Sequence, residues 1–416
     1  MERAVLVGLR IKGKDNCARD SSLEELKRLL ETAGGRAERV VVQERSSRDA
    51  ATLLGKGKVE EIARLVKQEG LNLVVVNEDL SPSQMQNWQE LVPVKIIDRT
   101  RLILDIFARR ARTREGKLQV ELAQLTYLLP RVTEKYGRFE QQIGGIGTRG
   151  PGERKLEISQ RRFRDRITRL KREMEGVRRQ RSLHRENRGR FPLPLVALVG
   201  YTNAGKSTLL NTLRAKAAPA VYADDKLFAT LDPTTRRARL PGGRTALFTD
   251  TVGFIQHLPT HLVTAFRATL EEVQDADQLV HVIDASNPEW PAQRNVVKEV
   301  LKNLGAERLP VLEFFNKFDR LGESERGPFR REGRLTASAQ TGEGISAFLE
   351  AVEKTLDAGL TEREFVVPYA RRRVFPLLHE HGRLLSQIPV EGGTRVRVKI
   401  DDQNWGALRK ELGELP

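Results

Sequence analysis

The sequence has few of the residues that would connect it with an oxidising compartment or a membrane. Cys17 is its single cysteine, so no disulfide can form within the chain, which suits a reducing cytosol. No apolar run approaches the roughly 20 residues that a membrane-spanning helix needs. The first twenty residues mix charged residues with short apolar stretches, and no signal peptide is visible. We therefore expect a soluble, cytoplasmic protein, and we expect a monomer.

Acidic residues are outnumbered as well. The 416 residues include 72 Lys and Arg but only 56 Asp and Glu, which gives a formal net charge of +16. A surplus of this size favours a polyanionic partner, nucleic acid first and an anionic membrane surface second. The length predicts two to four domains rather than one core.

One segment fits the phosphate-binding loop G-x-x-x-x-G-K-[ST]. The apolar run Leu193–Val199 before it is predicted as a buried strand and Thr208–Lys216 after it as a helix, which is the context that the motif requires. In such a loop, backbone N–H groups surround phosphate oxygens, the lysine adds positive charge and the serine hydroxyl can bind Mg²⁺. The predicted nucleotide-binding residues of the loop are Gly200, Tyr201, Thr202, Asn203, Ala204, Gly205, Lys206 and Ser207.

Two further segments fit the parts of such a site that meet Mg²⁺ and the γ-phosphate. An aspartate follows the apolar stretch Thr245–Phe248 and can reach the Mg²⁺ shell, and the Gly253 N–H can meet a γ-phosphate oxygen. A threonine hydroxyl between the two motifs can complete the Mg²⁺ shell; we predict Thr230, with Thr234 and Thr235 as competitors. The two segments comprise Phe228, Ala229, Thr230, Leu231 and Asp232, and then Asp250, Thr251, Val252 and Gly253. The predicted metal ligands are Ser207 and Thr230, and the predicted catalytic residues are Lys206, Thr230 and Gly253.

A fourth segment indicates which base is bound. The residues after the apolar strand Val311–Phe315 are Asn316, Lys317, Phe318 and Asp319. The Asp319 carboxylate can accept hydrogen bonds from guanine N1–H and N2–H₂, a pair that adenine does not offer, so such a site discriminates strongly. The Lys317 stem can lie over the ring, and backbone N–H groups farther along the chain can reach guanine O6. Those backbone groups belong to Ser338, Ala339 and Gln340. The four segments together predict a GTP-binding domain rather than an ATPase.

The predicted site has a gap in its catalytic machinery. Many GTPases place a water-orienting glutamine directly after the glycine of D-x-x-G, but here that residue is Phe254, and Gln256 is displaced. Because hydrolysis needs a positioned water and positive charge at the β–γ bridge, we expect a low intrinsic rate. Asn203 is a candidate ligand for K⁺ placed where an arginine finger would otherwise lie.

The organisation along the chain predicts four domains. Alternating strand and helix signals over residues 1–98 indicate a parallel α/β domain, residues 99–190 a basic helical hairpin, 191–360 the GTPase domain and 361–416 a small α+β domain. The predicted elements of the first domain are Ala4–Ile11, Leu23–Ala33 capped by Ser21 or Ser22, Val40–Gln43, Val59–Glu69, Leu71–Asn77, Ser81–Leu91 and Val94–Ile97. Those of the last are the strands Phe365–Val367 and Arg395–Ile400 and the helices Val374–Leu385 and Asn404–Leu412.

The hairpin carries much of the positive charge. Helix formers dominate Arg99–Arg131, a Gly-rich loop follows at 144–152, and Glu153–Arg188 is predicted as a long helix. Its apolar residues repeat at heptad spacing, which predicts packing against the helix around Leu118–Leu129. Fifteen basic and six acidic residues lie between Glu153 and Arg190. A rod with this surplus fits a phosphate backbone through counterion release, without indicating a base sequence.

Over nearly its whole length the chain resembles the HflX family of translation-associated GTPases. The resemblance rests on the GTPase motifs and above all on Gly-Gly-Ile-Gly-Thr-Arg-Gly-Pro-Gly-Glu at 144–153. One departure follows that segment, where Arg154-Lys155 replace the Thr-Gln that the family usually has. The resemblance implies a P-loop GTPase domain that uses GTP with Mg²⁺, a hairpin that reaches ribosomal RNA, and binding to the large ribosomal subunit. It also implies that the GTP-bound protein splits stalled or idle ribosomes under stress.

Two other interpretations stay open on the sequence alone. An RNA-binding GTPase could act in RNA remodelling or modification, although no second catalytic constellation is visible. A membrane-associated regulatory switch could place the basic helix on anionic lipid, but its apolar seam is narrow and lacks tryptophan.

Overall fold

The structure is a computed structural model, and it divides into two compact units. It describes residues 1–13, 17–137, 151–186, 192–213, 227–228, 230, 232–256 and 273–412. The first unit comprises Met1–Arg178 together with Lys226–Phe228 and Gln256–Phe266, and the second comprises Arg179–Asp225, Ala229–Ile255 and Arg267–Pro416.

The first unit is built around a four-stranded parallel sheet of order β2-β1-β3-β4. Its strands are β1 (Arg3–Ile11), β2 (Arg36–Arg45), β3 (Leu73–Val76) and β4 (Lys95–Asp98). The connecting helices are α1 (Cys17–Thr32), α2 (Lys56–Glu69) and α3 (Pro82–Leu91). Strand β3 is fully buried, as expected for a central strand covered by helices on both faces. The predicted parallel sheet alternating with helices is confirmed.

The start of α1 differs from the prediction. The helix begins at Cys17, so Ser21 and Ser22 lie inside it and do not cap it. Ser22 is buried instead, and its hydroxyl accepts a hydrogen bond of 3.0 Å from Asn77 Nδ2. The predicted start lies too late in the chain, because no glycine or proline between Cys17 and Ser21 interrupts the helix.

The helical region after β4 contains three helices among the described residues. They are α4 (Arg99–Arg110), α5 (Arg114–Gly137) and α6 (Pro151–Glu186). The stretch predicted as helical over Arg99–Arg131 is therefore broken once, between Arg110 and Arg114. Helix α4 is capped by Asp98, whose Oδ1 accepts the Arg101 N–H at 2.9 Å. Leu170 and Met174 of α6 are buried, as its heptad spacing predicts.

The Gly-rich loop is only partly described. Its residues Gly144–Gly150 lie outside the described residues, whereas Pro151 and Gly152 belong to the first turn of α6 rather than to the loop. Proline is favoured at this position because its missing N–H would have no partner inside the helix.

The second unit contains a five-stranded sheet of order β6-β7-β5-β8-β9, parallel except that β6 runs antiparallel to β7. Its strands are β5 (Leu195–Gly200), β6 (Thr234–Arg239), β7 (Thr245–Asp250), β8 (Gln278–Asp284) and β9 (Val311–Asn316). Four described helices accompany it, namely α7 (Lys206–Thr212), α8 (Trp290–Asn303), α9 (Glu323–Arg331) and α10 (Ile345–Asp357). Phe348 of α10 is fully buried against Phe314, with ring centroids 4.6 Å apart.

Two boundaries near the phosphate loop were predicted differently. Strand β5 begins at Leu195, two residues later than predicted, because Pro194 has no N–H for the sheet. Helix α7 begins at Lys206 rather than Thr208 and is assigned to Thr212, so the predicted end at Lys216 falls outside the described residues.

The C-terminal part of the second unit has one strand more than predicted. Its elements are β10 (Thr361–Pro368), α11 (Val374–His381), β11 (Arg383–Val390), β12 (Gly393–Ile400) and α12 (Asp402–Leu412). The sheet is antiparallel, of order β10-β12-β11. The predicted helix Val374–Leu385 is wrong after His381. Gly382 ends the helix, as glycine commonly does after the last helical turn, with an extended backbone of φ −127° and ψ 162°, and the chain then enters β11. Among the described residues, no helix is long and apolar enough to span a bilayer.

Candidate nucleotide-binding site

The phosphate loop lies at the carboxyl end of β5, where α/β sheets usually bind their ligands. Gly205 has φ +94°, and a Cβ there would lie 2.1 Å from the Asn316 side-chain nitrogen, so this position requires glycine. Asn203 also lies in the left-handed region, with φ +61°. This backbone turns the chain from β5 into the N-terminus of α7, where N–H groups favour an anion.

Lys206 is the buried cation of this loop. Its Nζ donates hydrogen bonds to the carbonyl oxygens of Gly200 at 3.1 Å and Tyr201 at 2.8 Å. Burial lowers the pKa of Lys206 from 10.5 to about 8, although Asp250 acts in the opposite direction. A negative charge placed beside Nζ would stabilise the ammonium.

Three oxygen atoms meet beside the loop. Ser207 Oγ lies 2.8 Å from Thr230 Oγ1 and 2.6 Å from Asp250 Oδ2, and Thr230 Oγ1 donates to the same Oδ2 at 2.8 Å. Burial raises the pKa of Asp250, while its bonds to Ser207 and Thr230 act against that shift. Within the described part of the chain, the buried Asp250 Oδ1 accepts no hydrogen bond. Hydroxyl and carboxylate oxygens are hard ligands, so this set fits Mg²⁺.

The competing threonines lie elsewhere. Thr234 and Thr235 belong to β6, and Thr235 Oγ1 donates to Thr249 Oγ1 at 3.3 Å rather than to the three-oxygen cluster. Thr230 is thus the threonine that the structure brings to Ser207 and Asp250.

The segment after β7 lies tightly against the phosphate loop. Phe254 N donates to Gly200 O at 3.1 Å, and Thr202 N donates to Phe254 O at 2.8 Å. At Gly253 a Cβ would lie 2.8 Å from Thr202 Cα and 3.1 Å from Lys206 Nζ, so only glycine allows this approach. The Phe254 side chain is 2% exposed and carries no polar group that could orient a water.

The remaining residues of that segment have structural contacts. Thr251 is buried, and its hydroxyl donates to Leu198 O at 2.7 Å, while Val252 is 7% exposed. Gln256 belongs to the first compact unit, where its carbonyl oxygen accepts from Arg99 Nη2 at 3.2 Å. Its side-chain Nε2 donates to Ser21 Oγ of the same unit at 3.3 Å.

The residues around Thr230 are only partly described. Phe228 belongs to the first unit and is buried there against Phe107, with ring centroids 4.6 Å apart. Asp232 is half-buried. Ala229 and Leu231 lie outside the described residues.

The side chain of Asn316 joins three loops of the predicted base site. Its Nδ2 donates to Ala204 O at 2.8 Å, and its Oδ1 accepts from Ala339 N at 2.9 Å. The Ser338 N–H donates to Glu343 O at 2.9 Å. In this conformation the N–H groups of Ser338 and Ala339 are therefore both engaged within the protein, and Gln340 is exposed.

The next residues of this motif follow β9 in a 3₁₀ turn, Phe318–Arg320, that contains the half-buried Asp319. Lys317 Nζ lies 2.8 Å from Asp284 Oδ2 and 3.5 Å from Asn203 Oδ1. Sequence reasoning missed Asp284. Its position at the carboxyl end of a buried strand next to β5 was the signal that could have found it.

Family comparisons agree with this geometry. A family model described as "50S ribosome-binding GTPase" matches residues 195–317, and one described as "HflX C-terminal domain" matches 328–416. Models described as the N-terminal and middle regions of a GTP-binding GTPase match residues 20–108 and 110–188. GTPase HflX of Caldanaerobacter subterraneus is 44% identical over 96% of this chain and 91% of its own length. The chain belongs to the HflX family of GTPases.

A second relative repeats the result. GTPase HflX of Lacrimispora saccharolytica is 42% identical over 98% of this chain and 95% of its own. A solved GTP-binding protein from Sulfolobus solfataricus, in complex with GDP, is 23% identical; the match covers 86% of this chain and 99% of that one, with a TM-score of 0.43. The resemblance predicted from the sequence is confirmed, as are the fold class and the prediction of an enzyme that binds and hydrolyses GTP.

Proposed function

We propose that the protein binds the large ribosomal subunit in its GTP-bound form and separates stalled or idle ribosomes under stress. The observation that carries this proposal is the exposed basic surface of α6. Between residues 158 and 179 the exposed cations are Arg161, Arg162, Arg164, Arg169, Lys171, Arg172 and Arg179. The exposed acidic residues of that stretch are Asp165 and Glu175.

The charge of α6 is free to meet a polyanion because the helix packs through other residues. Leu170 and Met174 are buried, and Arg166 makes two hydrogen bonds to Glu121 of α5, at 2.7 and 2.8 Å. Arg169 Nε also donates to Glu173 Oε1 at 3.2 Å, yet its side chain stays 75% exposed. It and the other exposed cations named above can meet phosphate, where each contact would release counterions. Ribosomal RNA is a partner of this chemistry, and "50S ribosome-binding GTPase" is the description of the family that matches the GTPase region.

We assign the nucleotide chemistry to the residues that the structure brings together. Ser207 and Thr230, with Asp250 behind them, would hold Mg²⁺, which neutralises developing charge on the β- and γ-phosphates when bound. Lys206 would place its ammonium on the same phosphates. The Gly253 N–H would donate a hydrogen bond to a γ-phosphate oxygen and so sense whether that phosphate is present. Asp319 would select guanine, with Lys317 beside the ring.

Hydrolysis would be slow without a partner, because Phe254 cannot orient a water. Asn203 remains our proposed K⁺ ligand because of its place within the phosphate loop; its Oδ1 lies 3.5 Å from Lys317 Nζ, so it would have to turn from that ammonium to bind K⁺. Loss of the γ-phosphate would release the Thr230 and Gly253 segments and so favour departure from the ribosome.

The first test is GTP turnover by the whole protein, alone and with large subunits, small subunits or protein-free ribosomal RNA, in K⁺ and in Na⁺ buffer. We expect a low basal rate that large subunits raise selectively. Equal stimulation by naked RNA would reduce the protein to a general RNA-activated GTPase and contradict the proposal.

The second test removes the charge of α6. The double reversal R161E/R172E should abolish stimulation by large subunits and leave basal turnover unchanged, because both side chains are exposed. The matched control is K302E/R308E, two exposed cations of the GTPase region, which should keep full stimulation. Stimulation that survives R161E/R172E would remove α6 from the interface.

A further inference from the structure

Asp284 is a carboxylate that belongs to none of the four nucleotide segments. It ends β8, and both of its oxygens are engaged. Oδ1 accepts hydrogen bonds from the Ser286 N–H at 3.0 Å and the Ser286 hydroxyl at 2.6 Å, and Oδ2 accepts from Lys317 Nζ at 2.8 Å. The loop after β8 therefore fixes the direction of the carboxylate independently of Lys317.

The partner of Asp284, Lys317, has an unusual backbone conformation and a mostly buried side chain. Lys317 has φ +60°, a conformation that costs backbone energy for a residue with a side chain. Its Cε would lie 4.0 Å from a Cβ at Gly205, so the stem passes beside the phosphate loop, and its Nζ lies 3.5 Å from Asn203 Oδ1. Only 11% of the Lys317 side chain and 15% of the Asp284 side chain is exposed.

We propose that Asp284 is a positioning residue for guanine nucleotides. It holds the Lys317 ammonium at the phosphate loop, so that the aliphatic stem forms a fixed surface for the base before the nucleotide arrives. The inference rests on the proposed assignment of the guanine site to residues 316–319. Fixing the side chain in advance removes an ordering cost from binding.

The Asp284–Lys317 pair acts on the base of the nucleotide, and this determines which kinetic constants its loss should change. The base is bound alike in the ground state and in the transition state, so a loss at the base changes binding and not the chemical step. Removing the charge of one partner in a mostly buried ion pair leaves the other without its counterion. The change should therefore appear in Kd and KM, with kcat preserved.

The test is D284N, which keeps the size of the side chain and an oxygen for Ser286. We expect the Kd for N-methylanthraniloyl-GDP and the KM for GTP to rise about tenfold, with kcat and Tm unchanged. The matched control is D277N, because Asp277 precedes the same strand and accepts the Leu195 N–H at 2.7 Å. That variant should bind and turn over nucleotide as the parent does.

A double-mutant cycle with K317M identifies the route of the effect. If Asp284 acts through Lys317, D284N should cause no further loss of affinity in the K317M background. An unchanged Kd in D284N, the same tenfold loss in both backgrounds, or a fall of kcat together with Tm would each overturn the inference.

The variant D319N separates this inference from the guanine site on which it rests. If D319N leaves guanine affinity intact, the assignment of the guanine site is wrong. If D319N weakens binding and D284N does not, only the role of Asp284 is wrong.

Discussion

Nucleotide affinity should fall as the pH rises through 8, because Lys206 titrates there. Burial lowers the pKa of this lysine to about 8 in the protein alone. A bound phosphate chain places negative charge beside Nζ and restores the ammonium. Below pH 8 the free protein already carries the proton and affinity is level; above pH 8 the free protein loses it, and binding must take a proton up. At pH 9 about nine-tenths of the free lysine is neutral, which lowers affinity about tenfold, or ~1.4 kcal/mol.

The assay is isothermal titration calorimetry of GDP binding in two buffers of different ionisation enthalpy, at pH 7.0 and pH 8.8. We expect uptake of about 0.8 proton per GDP at the higher pH and close to none at the lower, from the same titration. K206R is the control, because arginine stays charged over this range and should show weaker binding without proton uptake. No uptake by the parent protein at pH 8.8, or equal uptake by K206R, would refute the reasoning.

Three further substitutions probe the packing of the molecule. Gly253→Ala would place a methyl carbon 2.8 Å from Thr202 Cα; single-turnover assays should show hydrolysis at least about tenfold slower while GDP still binds, and an unchanged rate would contradict the close approach. Trp88→Phe removes the 2.7 Å bond from Nε1 to Thr52 O inside the first unit, so urea unfolding should show a loss of about 1–3 kcal/mol; no loss would mean that the carbonyl finds another donor. Phe348→Ala empties a fully buried site and should cost about 3–5 kcal/mol by the same measurement, whereas a cost below 1 kcal/mol would indicate that the second unit collapses around the gap.

The sequence predicted the parts of the molecule that depend on local pattern. The phosphate loop was predicted correctly because its motif fixes the spacing of Gly205 and Lys206. Helix α3 was predicted correctly because the residues at its start, Ser81, Pro82 and Gln84, are those that cap a helix. Thr230 was predicted with Thr234 and Thr235 as open competitors, and the structure places the Thr230 hydroxyl with Ser207 and Asp250.

The features that the sequence did not predict depend on contacts between distant segments. Gly382 approaches Val398 of β12, where a Cβ would lie 2.7 Å from Cγ2, and the sequence does not show this contact between distant segments. Ser22 was interpreted as a helix cap, but its partner is Asn77, 55 residues away. Asp284 was passed over for the same reason, since its role depends on Lys317, 33 residues later.

The two hydrogen bonds of the Asn316 amide explain why the first position of its motif requires asparagine. Its nitrogen must give a proton to the Ala204 carbonyl while its oxygen receives one from the Ala339 amide. An aspartate would place a carboxylate against the Ala204 carbonyl oxygen. A leucine would leave the Ala204 carbonyl and the Ala339 N–H without these hydrogen bonds. The Asn316 amide thus connects the phosphate loop with the loop at Ala339 through one donor and one acceptor. Reversing the amide, or replacing either of its polar atoms, would break both hydrogen bonds or one of them and separate the two loops. Loops that are far apart in the chain are therefore coupled through this side chain. A substitution that displaces any one of them should lower the affinity for the whole nucleotide.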